Sequence, residues 1–384
     1  MVVDMKKIVL ICLFFCVFAF VFSINAYADD NIYDIYKDQL KSSGAEDIIN
    51  KLPEETKENL DDIGLDDMDI NKLSNLNPRK IFAKILYIAQ QSSYKPFKFS
   101  LVIIAIMLVC ALVESMKVSF SDRPLSGVVG VVGSLLVCTS IVFPVVDCIS
   151  KTSNVIKNSS DFMLCYIPVM TGIMITSGQP MSAASNHFIM VFLGNIISEF
   201  ASNLLVPLLN IFLALSIVST LSPKLNLKSF CETINSIVKW ILGFLMSVFV
   251  SVLTVQNIVT TAVDSTSSKS IKFAINSCVP IVGGALSDAF NTVQSCLKLL
   301  KSGVGAFSII AAGFIFIPII IECLIYMISI NVCVSFGEIF ELKQISSLLK
   351  SINKVISSVL VMLLCVVTIL IISTVLILII GGAA

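Results

Sequence analysis

The chain has 384 residues, of which 56% are hydrophobic and 14% charged, and its formal net charge is zero. A soluble domain carries about a quarter charged residues, so this balance excludes an ordinary soluble enzyme and gives no electrostatic footprint for nucleic acid. The apolar residues fall in runs of 15 to 34, the length a helix needs to cross a hydrocarbon core of roughly 30 Å, without the alternation of a membrane barrel. The fold class is therefore all-α, a polytopic integral membrane protein with seven or eight transmembrane helices.

The first segment reads as a signal peptide. Lys6 and Lys7 precede an apolar stretch from Ile8 to Phe22, and Ala26-Tyr27-Ala28 fits small-x-small cleavage, which makes Asp29 the expected mature N-terminus. Residues 29–96 form a short acidic extracytoplasmic helical head. Within 29–95, fourteen acidic residues face nine basic ones. Asp66-Asp67-Met68-Asp69-Ile70-Asn71 has the look of a calcium loop, but from Asp67 the sixth position is Lys72, where glycine is needed, and the twelfth is Pro78, where a glutamate is needed. Calcium binding is rejected. Ile81, Phe82, Ile85 and Leu86 mixed with Arg79, Lys80 and Lys84 predict a helix at the membrane surface.

From residue 97 the transmembrane domain is expected to cross at 97–113, 125–146, 162–177, 188–221, 237–259, 303–333 and 355–380. The run 188–221 is overlong and holds Pro207, so it is one kinked helix or two spans. Between spans, 271–301 reads as an amphipathic or re-entrant segment. Leu286, Phe290, Val293, Leu297 and Leu300 lie on one side of it, and Asp288, Asn291, Ser295 and Lys298 on the other.

Ionisable and amide side chains at bilayer depth normally face protein or water. Asn195, Glu199 and Asn203 repeat at i, i+4, i+8 and share one helix face, which Asn210 extends if the helix survives Pro207. Such a face either lines an aqueous cavity or bonds to a neighbouring helix. Glu322, four residues past Pro318, is a second intramembrane polar site. Twelve cysteines without a Cys-x-x-Cys, and a single histidine, His187, leave no recognisable metal spacing. There is likewise no Walker A loop, no His-Glu-x-x-His and no Gly-x-Ser-x-Gly, so no cofactor and no enzymatic activity are expected.

An ordered series of residues resembles a known family, stage III sporulation protein AE. It runs through Thr176-Ser177-Gly178, Ser182-Ala183-Ala184, His187, Val206-Pro207-Leu208-Leu209, Ile217 to Leu221 and Val255-Gln256. It continues through Asp264, Lys272-Phe273, Pro280, Gly283, Asp288-Ala289 and Thr292-Val293. Gly284 departs from it, where a basic residue is expected. The resemblance implies a membrane subunit of the sporulation channel between mother cell and forespore, in the mother-cell membrane surrounding the forespore. It also implies a cytoplasmic ATPase and ring-forming extracytoplasmic proteins as partners and a need in late forespore gene expression. Asp264, Lys272 and Asp288 fall where the resemblance is most specific, in a connection expected to be exposed, and are read as a docking surface for another subunit. The competing readings are a stand-alone secondary transporter and a purely structural anchor of the complex.

Overall fold

The computed structural model describes residues 30–117, 126–221, 227–278 and 283–379; side-chain surroundings are described for these except 30–35, 116–117, 126–129, 193, 221, 228, 265 and 267–291. The expected signal peptide lies outside them. The described chain is helical, with no strand. Four short helices form the head: α1 (Asp30–Ser42), α2 (Glu46–Asn50), α3 (Glu54–Asp62) and α4 (Ile70–Ser74). Long helices follow: α5 (Pro78–Lys117), α6 (Ser126–Thr176), α7 (Pro180–Phe200), α8 (Val206–Leu221), α9 (Lys228–Cys278), α10 (Gly283–Ile339) and α11 (Lys343–Ile379).

Among the described residues, six helical stretches are long and apolar enough to cross a membrane, with α7 and α8 counted as one. The protein is a multi-pass membrane protein. Its span pattern differs from the expected one in a specific way. The runs 125–146 and 162–177 are joined in a single 51-residue helix, α6, and the connection drawn over 260–302 is helical up to Cys278 and again from Gly283. Polar residues alone do not stop a helix; only a lost hydrogen bond or a left-handed residue does. Where a turn is needed, such a residue appears. Gly178 has φ 76°, with the amide N–H of Gln179 bonded back to Met174 O, and Glu341 has φ 57°, with that of Leu342 bonded back to Gly337 O. Both are helix stops of the Schellman type.

The α10–α11 hairpin is the centre of the bundle. It packs against α5 and α6, while α7, α8 and α9 close around α11. Hydroxyls within the helices are satisfied internally, as membrane depth requires: Thr152, Ser308, Thr368 and Ser373 each donate to the carbonyl four residues earlier. The head is fixed to α10 by Tyr36. Its ring is buried, its hydroxyl donates to Met68 O, and it lies so close to Gly303 that a Cβ there would sit 2.5 Å from the phenol oxygen. Glycine is required at 303 by that approach.

Candidate functional site

The expected intramembrane residues fall into three separate polar sites. The first is the stripe on α7. Asn195, Glu199 and Asn203 are all exposed on the outer face of the protein, and the Asn203 amide donates to the Glu199 carboxylate. The stripe ends in a π turn, Ala201–Leu205, in which the Val206 N–H reaches back to Ala201 O. Pro207 follows at once and has no N–H to offer Asn203 O, so the helix widens instead of breaking. Asn210, exposed as well, carries the polar face into α8. Beside the stripe is an open groove of about 700 Å³ between α6 and α7, lined by Ser160, His187, Phe188, Phe192, Asn195 and Glu199. The His187 ring pairs with Thr171 at 3.2 Å. A carboxylate and amides in this setting can hold water or a polar helix.

The second site surrounds Glu322 on α10. Both its oxygens accept from Lys151 Nζ of α6, at 2.8 and 3.1 Å, and Lys151 also pairs with Asp147 at 3.0 Å. Glu322 is 14% exposed, so the ion pair ties α6 to the bundle centre. One residue along on each helix, the buried thiols of Cys148 and Cys323 approach to 3.2 Å. The sequence reading found Glu322 and missed Lys151. The signal was available, because Asp147 and Lys151 are an i, i+4 pair in the polar gap between two apolar runs.

The third site is built on Asp264. It is not exposed in a connection: it lies within α9 at 4% exposure and accepts the backbone N–H groups of Met181 (3.1 Å) and Ser182 (2.8 Å). These are among the first orphan donors of α7, whose own N-cap residue, Gln179, makes no side-chain capping bond. Asp264 thus caps a helix that begins 84 residues earlier in the chain, and its negative charge also suits the positive end of that helix. Gln256 and Thr260 lie on the same face of α9, two turns and one turn before Asp264, both buried, and Gln256 Nε2 donates to Asn186 of α7 at 2.8 Å. Lys301 of α10 donates to Gln179 at 3.2 Å. Lys272 is on α9 and Asp288 on α10, and their side chains lie outside the described ones.

In the head, Lys72 fills the acidic loop itself, pairing with Asp66 and Asp67. The hydrogen bonds to these carboxylates raise the Lys72 ammonium above its usual range, and the bond to Lys72 holds the Asp66 carboxyl below its own. Among the described residues, no group of three or more His, Cys, Asp or Glu is placed to hold a metal.

Comparison with known proteins gives one consistent result. The family model described as stage III sporulation protein AE matches residues 65–382. A curated relative, stage III sporulation protein AE of Bacillus subtilis (strain 168), is 28% identical over 193 residues, which is 49% of this chain and 48% of the relative. The chain thus spans about half the length of the curated relative it matches. No solved structure matches.

Proposed function

The chain belongs to the stage III sporulation protein AE family and so has a role in sporulation, and from that premise we propose that it is a non-enzymatic membrane subunit of a transenvelope channel between mother cell and forespore. It sits in the mother-cell membrane around the forespore, works with a cytoplasmic ATPase and ring-forming extracytoplasmic proteins, and supports late forespore gene expression. The observation that carries this reading is the α7 stripe. Asn195, Glu199 and Asn203 are exposed on a membrane-crossing helix, where the single bond from Asn203 to Glu199 would leave most of their hydrogen-bonding capacity unmet in lipid. A subunit whose outer face is polar at that depth is complete only against water or another protein. A self-contained transporter would keep such groups inside the bundle.

The test is affinity purification of the tagged chain from sporulating cells, alongside a stripe variant, Asn195→Leu with Glu199→Leu. The native chain should bring down an ATPase and ring-forming proteins. The variant should accumulate in the membrane and fail to support forespore gene expression. Purification of the native chain alone would return the protein to the reading of a stand-alone transporter, and normal spores from the variant to that of a structural anchor.

A further inference from the structure

The exposed apolar surface does not form a level belt. α5 runs in the same direction as α10: the Cys333 thiol meets Ser100 O at 3.8 Å, the rings of Phe99 and Tyr326 lie 6.3 Å apart, and Met107 abuts the site of Gly337. Exposed Leu101, Val109 and Leu112 are therefore level with the charged α10–α11 turn, where Glu338 pairs with Lys350. α6 begins at that height too, since Gly130 abuts Gln344 and Gly133 abuts Cys110, and it exposes Leu135, Leu136 and Phe143. Across the bundle α9 begins with a mixed surface, Glu232 paired to Lys354 and Asn235 accepting from Ser358 beside exposed Phe230 and Ile237. Its continuous exposed apolar face comes later, through Trp240, Phe244, Val255 and Ile258. At 1.5 Å per residue, the α5 zone centred near residue 105 and the α9 zone centred near 250 are offset by roughly 40 Å along the bundle. Level with the α9 zone, α5 carries Arg79, Lys80 and Lys84 among exposed Phe82, Leu86 and Tyr87, and Lys95 and Lys98 lie level with the start of α9. A bilayer perpendicular to the helices would put one apolar zone in water or one set of charges in hydrocarbon.

Helix length is an independent observation on the same point. The apolar run 188–221 lies in one continuous stretch and 303–333 lies in α10. They are about 51 and 46 Å long, and each fits a core of roughly 30 Å if inclined by about 50°. That is steeper than the range of 0 to about 40° common for membrane helices, and overlong apolar stretches are what drive tilt.

We propose that the bundle crosses the bilayer inclined by about 50°, a tilt that reduces the offset between the two apolar zones and lays the first half of α5 on anionic phospholipid headgroups. The chemistry of that half fits the partner. Arg79, Lys80, Lys95 and Lys98 supply cations, and Tyr87, Tyr94 and Phe97, all more than half exposed, supply the aromatic rings favoured at headgroup level. The α9 zone meets lipid on the opposite side, with the stacked pair Trp240–Phe244 at its edge.

Trp240 is the single tryptophan, so fluorescence quenching tests this directly in the full chain. Trp240→Phe is combined in turn with Val109→Trp, Leu136→Trp, Val255→Trp and Tyr94→Trp. Each protein is reconstituted in vesicles of phosphatidylethanolamine and phosphatidylglycerol, and retained folding is checked by its helical circular dichroism. Acyl-chain-brominated lipid should quench the probes at 109, 136 and 255 alike. The probe at 94 should be quenched by headgroup-labelled phosphatidylglycerol more than by equally labelled phosphatidylcholine, and Lys95→Glu with Lys98→Glu should abolish that preference. Quenching by aqueous iodide at 109 and 136 but not at 255, or the reverse, would mean an upright bundle and overturn the inclination. Iodide quenching at 94 with no lipid preference would overturn the headgroup contact.

Discussion

In the α10–α11 hairpin 83% and 89% of the most apolar stretches are buried within the protein, whereas in α9 the corresponding share is 22%. In water such a difference in surroundings would show as a difference in composition. Here both regions are apolar throughout, because lipid replaces protein as the neighbour of α9. What separates them is shape. The hairpin uses Gly305, Ala311 and Ala312 to bring helices close, with Gly305 tight against Leu378. α9 instead presents large side chains outward, Trp240 and Phe244 among them, and buries Gln256, Thr260 and Asp264. Beside their buried apolar faces, the peripheral helices carry a few directed polar contacts to their neighbours.

That contrast predicts a hierarchy of effects. The largest belongs to the ion pair joining α6 to the centre. Lys151→Met leaves Glu322 at 14% exposure without its cation and should cost about 3–5 kcal/mol, seen as loss of accumulated protein and a lower midpoint in thermal denaturation in detergent. Lys151→Met with Glu322→Gln should recover most of it; no recovery would show that Lys151 acts through something other than this pair. Next comes packing itself. Leu363→Ala, fully buried in α11, should cost about 2–5 kcal/mol, while Val255→Ala on the exposed face of α9 should stay within about 0.5 kcal/mol. Equal effects would erase the distinction between centre and periphery.

The cap is expected to be smaller. Asp264→Ala removes the acceptor for two backbone donors of α7 and should cost about 0.5–2 kcal/mol, with Asp264→Asn retaining part of it. A block in sporulation by Asp264→Asn with unchanged stability would instead support the docking role expected from the resemblance. Smallest is the head. The Asp66 carboxyl is held below its ordinary value by Lys72, so its contribution is fully present above that ordinary value and is lost as pH falls through the lowered one. Lys72→Ala should move the Asp66 titration, read by carboxylate NMR, back up toward the usual range; an unmoved titration would place its cause elsewhere.

Much of this was legible in the sequence, and the misses have a common cause. Apolar runs gave helical class and approximate spans, because the hydrocarbon thickness sets their length. The face shared by Asn195, Glu199 and Asn203 followed from spacing alone. Asp147 to Asp161 falls between two expected spans because it is polar. It stays helical because it holds no proline or glycine and because Lys151 finds Glu322, 171 residues away. Asp264 was read as exposed because its flanks look like a connection, and its partners lie 82 and 83 residues earlier. Contacts of that separation have no local signature.

The cap on α7 also bears on how the chain is made. Translation delivers the α6–α7 turn well before Asp264, so Met181 and Ser182 must wait through the synthesis of α8 and most of α9 for their acceptor. Until then the start of α7 lacks its cap. Arrival of α9 closes the cap and completes the Gln256–Asn186 bond, two ties that join α7 to α9 before the central hairpin is made.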